Sequence, residues 1–233
     1  SSVTNRQVFF MLLLTLTTYT GISIPKIIAE SAGSGGWTTL LLTALVFAAF
    51  AWVIVRLNSA FPGMMLYEYS RRIVGRAAAY ALAVYFALYF LLVSVHLNIQ
   101  LTAVLRAEFY PRTPQWAMLA VTVLVVGSVA YRGVTNVGRF FEVIGLVFVI
   151  TAVITHFIMI LQGEPNEILP LFRASQIPRY LAGTKDVVIA FLGIELLLIF
   201  PLSGKNSART AATAFLTVLL VGVFYVVVVE SCI

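Results

Sequence analysis

The sequence predicts an all-α polytopic membrane protein, and three observations lead to that fold class. The 233 residues are 61% hydrophobic and 10% charged, with a mean hydropathy of +1.01, which leaves too little charge for a soluble surface. Apolar runs of about 20 residues, each long enough to cross a bilayer, recur along the chain. These runs are continuous and do not alternate with polar residues, so a membrane β-barrel is not predicted.

Seven membrane spans are predicted from the apolar runs and from the glycine, proline and charged residues that separate them. Residues 59–76, between the second and third spans, mix apolar and basic side chains and are predicted to lie along the membrane interface as an amphipathic helix. The spans are placed at about residues 8–30, 37–57, 78–106, 114–131, 137–161, 186–202 and 209–231.

Basic residues on alternate sides of these spans predict a cytoplasmic N-terminus. Cytoplasmic loops carry an excess of lysine and arginine, and the two sides here hold nine and six such residues. The richer side comprises the N-terminus and the second, fourth and sixth connections, with Arg6, Arg56, Arg71, Arg72, Arg76, Arg132, Arg139, Lys205 and Arg209. The other side holds Lys26, Arg106, Arg112, Arg173, Arg179 and Lys185.

The first span is interrupted by "TTYTGISIP", residues 17–25. Gly21 relaxes the backbone and Pro25 removes an N–H donor, so the helix is predicted to break here. Backbone groups freed inside a membrane need protein or water partners, and threonine hydroxyls are suitable. A proline kink with threonines that serve only for packing explains the stretch equally well. If the break instead lines a binding site, the residues that form it are Thr20, Gly21, Ile22 and Ser23.

The sixth span contains "VVIAFLGIELLLIFPL", residues 187–202, with a second predicted break near its centre. A straight helix of these 16 residues reaches about 24 Å, which is shorter than a hydrocarbon core of about 30 Å. A carboxylate at that depth costs about 2.5–3.5 kcal/mol on insertion scales, so Glu195 should face a partner or a cavity. A protonated Glu195 bonded to a neighbouring helix is the structural alternative to a ligand site formed by Phe191, Gly193 and Glu195.

Breaks in spans one and six are typical of one class of transporter. Transporters built from two inverted five-helix repeats break the first helix of each repeat and bind their substrate there, near the bilayer midplane. Residues 1–233 are accordingly predicted to form a single transmembrane domain, in which residues 1–161 are the first repeat and residues 162–233 begin a truncated second repeat. About seven of ten spans would then be present.

Span three carries a polar stripe at helical spacing. Tyr89, His96 and Gln100 are seven and four residues apart, which places them on one face of a helix that should point into the bundle. His96 and Gln100 are therefore further candidates for the substrate site, with interhelical hydrogen bonding as the alternative. In span five, Arg139 and Glu142 are three residues apart and are predicted to form a local ion pair.

Catalysis and nucleic-acid binding are not predicted. The chain contains no Walker loop, HExxH sequence or nucleophile elbow, so neither an enzyme nor a cofactor is expected. The single cysteine, Cys232, excludes an internal disulfide and a cysteine metal cluster, and no metal site is expected. The net charge of +6 is attributed to cytoplasmic loops and anionic lipid and not to nucleic-acid binding.

Collinear stretches along the whole chain carry a family resemblance. They are "VTNRQVFF" (3–10), "GISIPKIIAESAGSGGW" (21–37), "RLNSAFPGMMLYEY" (56–69), "YPRTPQW" (110–116), "YRGVTNVGRFFEV" (131–143), "NEILPLF" (166–172) and "GIELLLIFP" (193–201). Together they resemble the spore germination permease family, the integral-membrane B subunits of nutrient germinant receptors in endospore-forming bacteria.

The resemblance implies an amino acid–polyamine–organocation transporter-like fold of ten helices. It also implies two protein partners, an A subunit and a lipoprotein C subunit, and a location in the spore inner membrane. A small nutrient germinant, often an amino acid, is expected to bind between the broken helices and to trigger germination. A proton- or sodium-coupled amino-acid transporter of the same fold is the alternative function.

Overall fold

A computed structural model describes residues 3–20, 24–162, 173–202 and 206–231 of the chain, and it is all-α within those ranges apart from one isolated bridge between Val3 and Leu202. Within the described ranges, short 3-10 helices occur at Gly33–Gly35, Ala174–Gln176 and Val188–Phe191. The α-helices are α1 (Asn5–Thr20), α2 (Ile24–Ser31), α3 (Gly36–Ser59), α4 (Leu66–Val74), α5 (Arg76–Glu108), α6 (Gln115–Tyr131), α7 (Val134–Gln162), α8 (Ile177–Val187), α9 (Leu196–Ile199) and α10 (Ser207–Ser231).

Four of these helices are long and apolar enough to cross a membrane: α3, α5, α7 and α10. Helix α6 is apolar but has 17 residues. The multi-pass membrane class predicted from composition is thereby confirmed, and α4 lies within the segment predicted as an interface helix. The count of seven spans, the inverted repeats, the division near residue 161 and the side of the N-terminus stay predictions.

Small side chains allow α3 and α10 to approach each other closely. Ala44, Ala48 and Ala51 of α3 are fully buried at a spacing of four and three residues, which makes one face of the helix. A Cβ atom on Gly222 of α10 would lie 2.4 Å from the Cβ of Ala44. Membrane helices associate through close backbone packing of this kind, because lipid gives them little hydrophobic driving force.

Helix α1 begins with a capping box and packs across α7. The hydroxyl of Thr4 accepts the N–H of Gln7 at 3.3 Å, and the side-chain oxygen of Gln7 accepts the N–H of Thr4 at 3.0 Å. On α7, a Cβ atom at Gly145 would lie 2.3 Å from Cδ1 of Phe10, so a glycine is needed where the two helices cross.

The ion pair predicted within span five is wrong. Glu142 pairs with Arg6 of α1, whose Nε lies 3.0 Å from Oε1 of Glu142, and not with Arg139. The reason is the close crossing of α1 over α7, which brings a guanidinium from another helix to Glu142. Spacing within one helix contains no information about such a neighbour.

Helix α8 packs against the end of α2 and the loop that follows it. The guanidinium of Arg179 donates to the backbone oxygens of Ser31 at 3.1 Å and Glu30 at 3.3 Å, which caps the carboxyl end of α2. The adjacent ring of Tyr180 covers Gly35, where a Cβ atom would lie 2.1 Å from Cζ of that ring. The glycine-rich loop at residues 33–36 therefore serves to pack α8 against the start of α3.

Candidate functional site: the break in the sixth span

The sixth predicted span is a sequence of short elements and not a continuous helix. Helix α8 ends at Val187, a 3-10 helix follows, and the backbone is extended at Leu192, with ψ of 136°. Helix α9 then contains four residues, and the backbone is extended again at Phe200, with ψ of 131°. The break lies at the glycine where the sequence predicts it. The helix before the break, α8, begins at Ile177, which is earlier than the start predicted for the sixth span near residue 186.

Gly193 occupies a conformation and a space that suit only glycine. Its φ is +122°, in a region that residues with a side chain rarely adopt. A Cβ atom there would also lie 2.7 Å from Cγ2 of Thr15 on α1. The turn of the sixth span is therefore in direct contact with the last turns of α1.

The carboxylate of Glu195 accepts hydrogen bonds from two donors at the break. Its Oε2 accepts the backbone N–H of Gly193 at 2.8 Å, and its Oε1 accepts the hydroxyl of Tyr89 on α5 at 2.5 Å. The side chain is half-buried. The sequence predicts that Glu195 faces a partner or a cavity, and the hydroxyl of Tyr89 is that partner.

Tyr225 of α10 connects α1 to the sixth predicted span, and the sequence does not predict it as a site residue. Its hydroxyl lies 2.5 Å from the backbone oxygen of Leu16, near the end of α1, and 3.2 Å from that of Ala190, just before the break. The residue is fully buried. A signal was present in the sequence, since a tyrosine inside an apolar span requires a hydrogen-bond partner for its hydroxyl.

Phe191, predicted as a substrate-binding residue, is a fully buried core residue in this structure. Its ring stacks on Phe47 of α3, with centroids 5.5 Å apart, and meets Tyr225 edge-on at 5.8 Å. These contacts fix the 3-10 turn between α3 and α10. Phe191 therefore packs between α3 and α10 beside the break, and its role in substrate binding stays a prediction.

The carboxyl end of α9 is held by Asn58 and Tyr69, which the sequence does not predict as site residues. Nδ2 of Asn58 donates to the backbone oxygens of Leu197 at 2.8 Å and Phe200 at 3.0 Å. The hydroxyl of Tyr69 on α4 donates to the backbone oxygen of Leu198 at 2.9 Å. Burial raises the pKa of Tyr69 to about 12, so the hydroxyl remains a donor at alkaline pH as well as at neutral pH.

We expect Asn58→Asp to destabilise the protein strongly, because it replaces the donor at this position with an acceptor. A carboxylate would face the backbone oxygens of Leu197 and Phe200 in a fully buried place. An unpaired buried charge costs about 3–5 kcal/mol, which corresponds to a fall of about 6–20 °C in the melting temperature. Thermal unfolding of the purified protein in detergent measures this fall. The exposed Asn136→Asp is the control, and equal melting temperatures for the two variants would contradict the assigned role of Asn58.

The remaining predicted site residues lie partly outside the described ranges. Gly21, Ile22 and Ser23 lie outside the described residues, and Thr20 is the last residue of α1, with a side chain that is not described. His96 and Gln100 are exposed on α5 and hydrogen-bond each other, with their nitrogens 2.9 Å apart. This bond lies within one helix, and both the substrate site and the interhelical hydrogen bonding stay predictions for this stripe.

An apolar cavity of about 480 Å³ lies apart from the break, between α1, α7 and α10. His156 borders it, with Nδ1 2.9 Å from the backbone oxygen of Ala152 in the same helix and the ring 5.4 Å from that of Phe224. These contacts are structural ones. Across the described ranges, no group of three histidine, cysteine or carboxylate side chains is placed to hold a metal ion.

Comparison with known proteins identifies the family. A family model described as "Spore germination protein" matches residues 2–233, which is nearly the whole chain. The chain belongs to the spore germination permease family. This confirms the resemblance that the collinear stretches carry.

Two curated members of the family are similar to the chain. The spore germination protein YndE of Bacillus subtilis strain 168 is 24% identical over 217 residues, which cover 90% of this chain and 58% of YndE. The spore germination protein GerLB of Bacillus cereus is 24% identical over 236 aligned residues, which cover 98% of this chain and 62% of GerLB. The chain thus spans about three fifths of the length of these relatives. No solved structure matches it.

Proposed function

We propose that this protein is the membrane-embedded B subunit of a nutrient germinant receptor, and that it binds a small germinant, an amino acid, at the break in its sixth span. The observation that carries the proposal is Glu195, a half-buried carboxylate next to an interrupted helix. Family membership supports a role in germination. In this proposal the protein is a receptor subunit and not an enzyme, and it lies in the spore inner membrane with a cytoplasmic N-terminus.

The two charged groups of an amino acid suit different parts of this region. A carboxylate has about four lone-pair sites, and Glu195 uses two of them for Gly193 and Tyr89, so it can accept further bonds from an ammonium group. The start of α2 at Ile24 carries the positive end of a helix dipole, which favours the carboxylate of the ligand near residues 21–23. The two subsites must be separate, because Glu195 repels a carboxylate.

Ligand binding at Glu195 offers a route to a signal. An ammonium group that shares Oε1 weakens the bond from the hydroxyl of Tyr89, which is a contact between α5 and the break. A state in which α5 is released would then bind the germinant better than the state described above. A ligand shifts a two-state equilibrium only through such a difference in affinity. The A and C subunits are the proposed receivers of the signal.

The Glu195→Gln variant tests this function in spores. The intact gene is expressed with its A and C partners in a sporulating host that lacks its own receptors, and dipicolinate release is measured against a panel of amino acids. Loss of a charged hydrogen bond to the ligand is worth about 1.5–3 kcal/mol, so we expect the half-maximal germinant concentration to rise about 10- to 100-fold. Glu108→Gln makes the same chemical change at an exposed position and should leave the response unchanged.

Three other results would each support a different function for the protein. An unchanged dose response in Glu195→Gln, with the protein at its normal level, removes Glu195 from the ligand site. If wild-type spores respond to no nutrient, while the protein accumulates labelled amino acid in proteoliposomes, the transporter replaces the receptor. Normal responses in all variants at the break would leave the chain as an assembly subunit.

A further inference from the structure

Three exposed arginines lie close together in sequence where the interface helix α4 meets the membrane-spanning helix α5. Arg71 and Arg72 are in the last turn of α4, and Arg76 is the first residue of α5. Ile73 and Val74 lie between them and are 53% and 50% exposed. We define these five residues as the arginine patch.

The charge of the arginine patch is not neutralised by the described part of the protein. None of its three guanidinium groups lies within 4.0 Å of a carboxylate among those residues, where the ion pairs are Arg6–Glu142 and Lys26–Glu30. Glu68 is the one carboxylate in residues 59–76, and its Oε2 accepts the backbone N–H of Met65 at 2.9 Å, as a helix cap. The patch therefore exposes three positive charges within six residues of the chain, and none of them has an ionic partner in the described ranges.

We propose that the arginine patch binds the headgroups of anionic phospholipids. Guanidinium groups recognise phosphate through paired hydrogen bonds, and several basic residues beside a membrane helix attract anionic lipid. Arg76 begins a helix that is long and apolar enough to cross the membrane, which sets the patch at the level of the headgroups. The exposed Ile73 and Val74 are then in contact with acyl chains, where apolar side chains are stable.

The lipid site is connected to the break in the sixth span by α4 itself. The buried face of this helix includes Leu66, Tyr69 and Ser70, and Tyr69 donates to the backbone oxygen of Leu198. Arg72 is one turn further along the same helix. A headgroup that holds the end of α4 thus also restrains the element that binds the carboxyl end of α9.

Native mass spectrometry on the full chain, released from micelles that contain phosphatidylglycerol and phosphatidylcholine, tests the site. We expect the wild type to retain phosphatidylglycerol preferentially. In the Arg71→Gln/Arg72→Gln/Arg76→Gln variant we expect this preference to fall about 100-fold, since each arginine near a surface contributes about a fivefold factor. The Arg71→Lys/Arg72→Lys/Arg76→Lys variant keeps the charge but loses the paired hydrogen bonds, so its preference should lie between those of the wild type and the glutamine variant. If the glutamine triple variant does not fold, the single Arg→Gln variants should each lower the preference about fivefold.

The matched control is Arg106→Gln/Arg112→Gln/Arg173→Gln, which removes the same charge at three exposed arginines elsewhere. An equal loss in this control would mean that net charge alone selects the lipid, and would overturn the site. An unchanged preference in the variants of the arginine patch would also overturn it. Displacement of phosphatidylglycerol by an acidic peptide at equal charge concentration would assign the surface to a protein partner. These outcomes do not depend on whether Glu195 binds a germinant.

Discussion

The Gly193→Ala variant is expected to unfold at a temperature about 5–20 °C below that of the wild type. Alanine at φ +122° is strained, at about 1–3 kcal/mol, and its Cβ atom would lie 2.7 Å from Cγ2 of Thr15. Forcing an extra carbon into a packed core costs a further 1–3 kcal/mol, approximately. In a domain of this size each kcal/mol lowers the melting temperature by about 2–4 °C. Thermal unfolding in detergent, followed by tryptophan fluorescence, measures the change.

Gly127→Ala is the control for this substitution. Gly127 lies within α6, has no positive φ, and a Cβ atom there would meet nothing within 4 Å. Alanine is a better helix former than glycine by about 1 kcal/mol, so the control should be as stable as the wild type or slightly more stable. Equal melting temperatures for Gly193→Ala and Gly127→Ala would contradict the strained turn.

A second substitution separates the two causes of the loss. Thr15→Ser removes the Cγ2 atom that the new Cβ would meet, but it retains the hydroxyl of the side chain. We expect the Thr15→Ser/Gly193→Ala variant to regain the part of the stability that overpacking removes, and to keep the loss that comes from the backbone conformation. A complete recovery would mean that the positive φ carries no cost.

The long apolar helices and the position of the break in the sixth predicted span could be predicted because their signals are local. Apolar runs define the long helices, and a glycine and a carboxylate inside "FLGIE", residues 191–195, are unusual enough to mark an interruption. The structure agrees at Gly193, where a positive φ requires that residue. The sequence indicates Glu195 for the same reason, since an acid in an apolar segment needs a partner.

The partners at the break could not be predicted, because each comes from a helix far away in the sequence. Asn58, Tyr69 and Tyr225 bond backbone oxygens that are separated from them by between 35 and 209 residues. The period of a helix places Tyr89, His96 and Gln100 on one face but cannot say which part of that face meets another element. In the structure only Tyr89 of this stripe bonds Glu195. Which helix crosses which is decided by packing of small residues, as at Gly145.

The Tyr225→Phe variant is expected to lower the melting temperature by about 2–12 °C. The substitution removes one hydroxyl and keeps the ring, so the edge-on contact with Phe191 is preserved. The backbone oxygens of Leu16 and Ala190 lose a buried donor, and loss of a partner for a buried polar group costs about 1–3 kcal/mol. The control is Tyr131→Phe, at a residue that is 94% exposed, and it should have no effect. A Tyr225→Phe variant as stable as this control would show that the hydroxyl does not connect the two spans.

Combining the two substitutions tests whether Gly193 and Tyr225 act on the same junction. Gly193 lies against the side chain of Thr15 in α1. Tyr225 bonds the backbone oxygen of the next residue of α1, Leu16. Substitutions that disturb one shared contact are not additive, whereas independent ones add to within about 0.5 kcal/mol. We therefore expect the double variant to lose clearly less stability than the sum of the two single losses. Additive losses would mean that α1 meets the break at two separate contacts, and that α1 and the sixth span are not held as one unit.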